Sequence, residues 1–326
     1  MPIYGPRALL RQGTTFWKQK EAKVLLPRKR ASSIKADAKG VVITGGNRGF
    51  GYAMSREFLK AGDAVVICGR QSDSIHAAVR ALQADAPQCQ VHGIRCDVSR
   101  PDDMAELGRF ARKQLGTVHL WLNNAGSVTR KRMLADVDPS GISAAVGSNV
   151  MGSLLGSREA IRLMREQRAQ PTPSYHIFNL GFTKWGASFS KSACTHKATK
   201  AALTQLTQSL SEELKEAGIT SIGCHNLSPG MVLTDLLLED ASPVARRFFN
   251  ALAEEPETVA AALVPQIRAV RGTNKSISFL SPLKAVAGVA LGVPQILNGG
   301  RLFDKEGQRV KEPGVRYQEN GVRLPY

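Results

Sequence analysis

From residue 40 onward the chain alternates short apolar runs with amphipathic stretches. The apolar runs are rich in β-branched residues and predict strands at Val41–Gly45, Ala64–Gly69, Gln90–Cys96, His119–Asn123, Tyr175–Leu180, Ser221–Leu227 and Ser276–Leu280. Helical patterns fall between them. Tyr52–Ala61 is stopped by Gly62 at a C-cap position. Asp102–Leu115 follows Ser99 and carries acids in its first turn and Arg112 and Lys113 in its last, as the helix dipole favours. Thr199–Ala217 ends at Gly218. Strands alternating with helices predict an α/β fold, a doubly wound parallel sheet forming a single domain over residues 40–280. From about Asn298 the chain turns Gly-, Arg- and Glu-rich, so 281–326 reads as a C-terminal extension and surface tail.

The first predicted strand runs into Thr44-Gly45-Gly46-Asn47-Arg48-Gly49-Phe50-Gly51, which then opens a helix. This is the strand–loop–helix context of a dinucleotide site in a Rossmann fold. Gly45 permits the tight turn, Gly49 lets backbone amides approach a pyrophosphate, and Gly51 allows close helix–strand packing. The helix N-terminus adds partial positive charge. The second strand ends Cys68-Gly69-Arg70. A carboxylate there would bind the ribose 2′-hydroxyl of NAD, whereas Arg70, with Arg48 beside it, suits a 2′-phosphate, so the expected cofactor is NADP(H). Asp97, in Cys96-Asp97-Val98 at the end of the third strand, is placed to meet the adenine amino group.

Formal net charge is +17, and residues 1–40 hold ten Lys/Arg against Glu21 and Asp37. This leader, 1–39, is acid-poor, bears Ser and Thr, and lacks a secretory apolar core, so it reads as an organelle transit peptide. The alternative is a basic tail for nucleic acid or anionic lipid. No aromatic–basic interleaving appears beyond it, and no nucleic-acid partner is expected. Five cysteines (Cys68, Cys89, Cys96, Cys194, Cys224) make an odd number without any Cys-x-x-Cys, which argues against a disulfide framework and against zinc. The longest apolar run, Ala285–Val293 before Pro294, is too short to span a bilayer.

Several segments together resemble the short-chain dehydrogenase/reductase family: the glycine loop, Asn123-Asn124-Ala125-Gly126, Asn149, Lys200, and Ser228-Pro229-Gly230-Met231-Val232-Leu233-Thr234-Asp235. Softer matches resemble the plant and algal chlorophyll(ide) b reductases: Glu57–Asp63, His176–Asn179, His225–Met231, Leu252–Glu254, Leu263–Pro265 and Arg301–Asp304. The likeness covers roughly residues 40–310. It implies a chloroplast protein in the stroma or at the thylakoid surface that uses NADPH to reduce the 7-formyl group of a tetrapyrrole, chlorophyll b or chlorophyllide b. It implies cofactor contacts at Thr44, Gly45, Asn47–Gly51, Arg70, Asp97, Val98, Asn124, Ala125, Gly126 and Lys200, with Pro229, Gly230, Val232 and Thr234 at the nicotinamide end. It also implies association, as homo- or hetero-oligomer with a related reductase, through the helices after Asn124 and His196.

In that family a tyrosine four residues before the lysine donates the proton to the carbonyl oxygen. A serine binds that oxygen, and an asparagine supports a relay water. Here Asn149 and Lys200 match, but the tyrosine position holds His196, and Thr183, thirteen residues earlier, stands nearest the serine position. Trp185 is bulkier than expected nearby. The remaining tyrosines, Tyr4, Tyr52, Tyr175, Tyr317 and Tyr326, fall in the leader, the first helix, the far end of a strand, or the tail. Two readings stand: His196 replaces the phenol as an imidazolium acid, weakened by Lys200, or the chain binds cofactor and pigment without turnover and partners an active paralogue. The segment after Asp235 (Leu236, Leu237, Leu238, Val244, Phe248, Phe249) reads either as an apolar substrate lid or as an ordinary amphipathic helix. Ala285–Leu297 reads as docking on a membrane surface or on the core.

Overall fold

The computed structural model describes residues 37–183, 192–238 and 241–310, together with the two-residue strands Arg316–Tyr317 (β10) and Arg323–Leu324 (β11). The leader through residue 36, Lys184 and Trp185 lie outside the described residues. Seven parallel strands form one sheet: β1 (Gly40–Thr44), β2 (Ala64–Gly69), β3 (Val91–Arg95), β4 (Leu120–Asn123), β5 (Tyr175–Leu180), β6 (Ile222–Ser228) and β9 (Lys275–Ser278). Their order is β3-β2-β1-β4-β5-β6-β9. The chain therefore winds outward from β1 in one direction, then returns to β4 and winds in the other. This puts helices on both faces and makes the β1/β4 crevice the switch point.

Val41 and Ile43 face one core with α1 (Gly49–Ala61), α2 (Ser72–Asp85) and α9 (Pro256–Ala269). Val42 and Trp121 face the other, with α3 (Pro101–Leu115), α5 (Gly152–Arg165) and α6 (Cys194–Glu216). Both faces are covered, so the strands read as continuous apolar runs instead of alternating ones. The α4 helix (Pro139–Val146) leads through a π-turn, Gly147–Met151, into α5. Gly62 closes α1 in the left-handed region at φ 94°.

Boundaries moved where side-chain periodicity was weak. The α6 helix begins at Cys194, five residues before the expected Thr199, because its first turns pack through Thr195 and Thr199, polar residues that hide an apolar stripe. The apolar run ending at Pro294 lies within a longer helix, α10 (Pro282–Asn298), which continues through the proline. The missing amide is tolerated on the exposed side of the helix.

Part of the segment after Asn298, expected to be a surface tail, is buried. Leu302 and Phe303 are buried and form a third apolar cluster with Leu233, Phe249 and Ala253. Asn250 Oδ1 accepts from the amides of Leu302 at 2.7 Å and Phe303 at 2.8 Å, and Arg301 grips Glu254 and the Ala253 carbonyl. The return segment thus clamps α8 (Pro243–Leu252), which follows the short α7 (Asp235–Leu238) and precedes the small strand β8 (Ala253–Glu254), paired in parallel with β7 (Met231–Val232).

Candidate active site

The glycine loop sits at the C-terminal end of β1, where Gly45 (φ 64°) and Gly49 (φ 53°) occupy the left-handed region. A Cβ on Gly51 would collide with the Gly45 carbonyl, so only glycine lets α1 start this close to the turn. Arg48 at the N-cap makes no side-chain cap bond, which leaves the first amides of α1 facing the loop. The residues fit a pyrophosphate: a glycine-lined backbone cradle at a helix N-terminus.

Thr44 and Asn124 act on the loop from behind. Thr44 Oγ1 accepts from the amides of Asn124 and Ala125, each at 3.0 Å, and Asn124 Nδ2 donates to the carbonyls of Thr44 at 2.8 Å and Gly45 at 3.2 Å. Both side chains are engaged in stitching the ends of β1 and β4 together, which makes them positioning groups. Asn47 is likewise tied off, donating to Ser74 at 2.6 Å beneath the end of β2. Phe50 is buried under the loop, and Val98 packs against Gly152. Arg48 and Arg70 are exposed. Asp97 Oδ1 takes the Ser99 amide at 3.0 Å and hydroxyl at 2.7 Å. Burial pushes its carboxyl upward, but these bonds and the charges of Arg70 and Arg100 hold it below its ordinary value.

Thr234, more than 180 residues along the chain, is brought against the loop: a Cβ on Gly49 would lie 3.3 Å from its methyl. The Ser228–Thr234 turn reaches there because Gly230 adopts φ 77° and Val232 is buried. Gly126 lies against Asn149.

Asn149 is in the π-turn and buried. Its Oδ1 accepts from the Ser127 amide at 2.8 Å, and its Nδ2 donates to the Ser127 carbonyl and to Thr199 Oγ1, both at 2.9 Å. Both amide protons are spent, so the expected support of a relay water does not come from this amide group. The side chain instead fastens α6 to the segment after β4.

His196 and Lys200 lie one turn apart in α6. Lys200 Nζ donates to the Leu180 carbonyl at the end of β5 at 2.7 Å. Burial lowers its pKa from 10.5 to about 8. The His196 ring stands edge-on to Phe182, with centroids 5.5 Å apart, and its buried Nδ1 has no partner among the described residues. Burial, and secondarily the Lys200 charge, lowers its pKa to about 4. Both effects disfavour the imidazolium form, desolvation more than the neighbouring charge that the sequence discloses. Phe182, just before half-buried Thr183, has its carbonyl fixed by Thr204 Oγ1 at 3.0 Å and Asn226 Nδ2 at 3.1 Å. Neither Tyr52, buried in α1, nor Tyr175, whose hydroxyl donates to the Arg168 carbonyl at 2.9 Å, stands in.

Sequence reasoning missed one element of this architecture. Asn123, Asn179 and Asn226 are register partners on β4, β5 and β6. Asn123 Nδ2 donates to Asn179 Oδ1 at 2.9 Å and to Ser157 Oγ of α5 at 3.1 Å, and Asn179 Nδ2 donates to Thr207 of α6 at 3.2 Å. The signal was present as asparagine near the ends of three apolar strands, where a buried amide needs partners.

The model for short chain dehydrogenase matches residues 39–243. The chain belongs to the short chain dehydrogenase family. It is 38% identical over 291 residues to the probable chlorophyll(ide) b reductase NYC1 of Oryza sativa subsp. japonica, a match that spans 85% of this chain and 56% of that chloroplastic protein. It is also 38% identical over 251 residues to the chlorophyll(ide) b reductase NOL of Arabidopsis thaliana, 75% of this chain and 71% of that protein. The chain thus spans little more than half the length of the rice relative. The fold is shared with a 3-ketoacyl-(acyl-carrier-protein) reductase from Brucella melitensis complexed with NADH, at TM-score 0.62 and 26% identity over 73% of this chain and 96% of that one.

Proposed function

We propose that this chain is an NADP(H)-dependent reductase of the chlorophyll(ide) b type whose proton delivery is weakened. The observation that carries this reading is the glycine cradle held against Thr234 on one side, with Lys200 anchored at the neighbouring β5 end. Gly45–Gly51 would hold the pyrophosphate, Arg48 and Arg70 the 2′-phosphate, Asp97 and Val98 the adenine, and Ala125, Gly126, Lys200, Pro229, Gly230 and Val232 the nicotinamide riboside. When bound, the nicotinamide supplies hydride to the 7-formyl carbon of a tetrapyrrole. The chain's own task is then to protonate the resulting oxygen, and at neutral pH it offers a neutral imidazole at His196, with Thr183 nearby in sequence. Loss of an optimal acid costs roughly 10²–10⁴ in rate.

The basic leader and the chloroplastic relatives support a chloroplast location. Exposed Val146, Met151 and Leu154, around the π-turn and α5, support association with a related reductase.

The Nδ1 of His196, without a partner among the described residues, favours a second reading, in which the chain binds cofactor and pigment without turnover and acts as the partner of an active paralogue. Single-turnover NADPH oxidation with chlorophyllide b, with NADPH binding measured on the same preparation, separates the two. Formation of the 7-hydroxymethyl product, abolished in His196→Ala, supports the reductase. Tight NADPH binding without oxidation supports the partner protein, and failure to bind NADPH overturns both.

A further inference from the structure

His196 is a poor acid in its surroundings, but the same surroundings suit it to a metal. Burial and the Lys200 charge both disfavour the imidazolium form. A metal takes the neutral imidazole, through either ring nitrogen. Nδ1 is enclosed without a partner among the described residues, in a ring that stands edge-on to Phe182, which leaves Nε2 for a ligand.

The chemistry around the ring says which metal. Among the described residues no three His, Cys, Asp or Glu side chains come together. The charge acting on the ring is that of Lys200, a cation one turn away. A free divalent ion needs several protein ligands, carboxylates or thiolates among them, and a positive neighbour repels it. A metal already held in a macrocycle has other needs. Four ring nitrogens fill its plane, the macrocycle's two negative charges neutralise it, and what it lacks is one axial ligand, a place that histidine fills in metal–macrocycle sites. The magnesium at the centre of a chlorophyll-type tetrapyrrole is such a metal. Apolar surface for the face of a macrocycle stands on segments that leave the same edge of the sheet. Met133 and Leu134, after β4, and Leu236, after β6, are all exposed.

We infer that Nε2 of His196 is the axial ligand to the central magnesium of a bound tetrapyrrole. The inference rests on the tetrapyrrole reading above and deepens its form without turnover. A tyrosine at this position meets the substrate at a carbonyl on the rim of the macrocycle. A histidine bonded to the metal holds the centre of the macrocycle there instead, with the 7-formyl group away from the site of proton delivery.

The test is pigment binding by the full chain without nucleotide, followed by fluorescence and absorption titration. Chlorophyllide b is compared with pheophorbide b, the same macrocycle without its metal. Wild type is expected to bind the magnesium pigment tighter by about tenfold or more, since even the groups that support a metal ligand are worth that much. Its absorption should shift on binding, as axial exchange of water for imidazole requires. His196→Gly should lose the preference and the shift, and added imidazole should restore both. His196→Phe, which keeps the ring volume, should lose them without rescue. Equal affinity of wild type for the two pigments overturns the inference and leaves the tetrapyrrole reading standing, and this comparison needs no variant to fold. A preference that survives in both variants assigns the metal to another residue and overturns it as well. Failure to bind either pigment overturns the tetrapyrrole reading itself, and the inference with it.

Discussion

Lys200 donates its ammonium proton to the carbonyl of Leu180 at 2.7 Å, joining the second turn of α6 to the end of β5. That bond holds a cation where burial disfavours one, and its pKa falls from 10.5 to about 8. The unfolded chain therefore binds more protons than the folded one between these values. The cost of burying the charge is full below pH 8 and fades as pH rises towards 10.5. Lys200→Met should raise stability at pH 7 by about 1–3 kcal/mol and lose that advantage by pH 10.5, read by urea unfolding. The same change should weaken NADPH binding, and wild-type affinity should itself decline as pH passes 8.

The lowered pKa of His196 has a consequence of the same sign in a more acidic window. Its pKa is lowered to about 4, and burial lowers those of His176 and His225, whose rings meet at 2.9 Å, to about 4 and about 3. The unfolded chain takes up these protons near pH 6.5 while the folded one refuses them. Stability should fall as pH drops from 6.5 to 4. His196→Gln should reduce that slope by about 1.4 kcal/mol per pH unit, one proton's worth. An unchanged slope would show that His196 is not buried in solution.

Installing the family's tyrosine and serine tests the proposed weakness of proton delivery. His196→Tyr combined with Thr183→Ser should raise single-turnover reduction of chlorophyllide b by about 10²-fold or more. No gain would show that lost proton delivery is not what limits the chain.

Nucleotide choice should rest on Arg70 and Arg48, both exposed at the adenosine end. Arg70→Glu should weaken NADPH binding about tenfold or more while leaving NADH within a few-fold, measured by fluorescence titration. Equal losses for both nucleotides would remove the 2′-phosphate from the argument.

Gly51→Ala should abolish binding of either nucleotide, because its Cβ would displace the Gly45 carbonyl and with it the cradle. Retained binding would show that the loop relaxes at little cost.

Much of this protein was determined by its sequence alone. The β-branched runs, glycine stops and strand–helix alternation specify a parallel sheet, because each is a local consequence of backbone sterics and burial. The spacing of His196 and Lys200 and the glycine pattern of the loop are local in the same way, so they were legible without the fold. The tertiary structure decided which groups remain available. Thr44, Asn47, Asn124 and Asn149 look like ligand contacts in the sequence, yet their side chains are engaged in bonds to residues 22 to 81 positions away. Burial, which no spacing reveals, lowers the pKa of His196. Residues after Asn298 read as polar and solvent-facing, yet Phe303 completes a core with Phe249, because only the folded chain brings those two apolar side chains within reach. Local pattern sets the elements, and long-range contact sets the protonation and the pairing of what they carry.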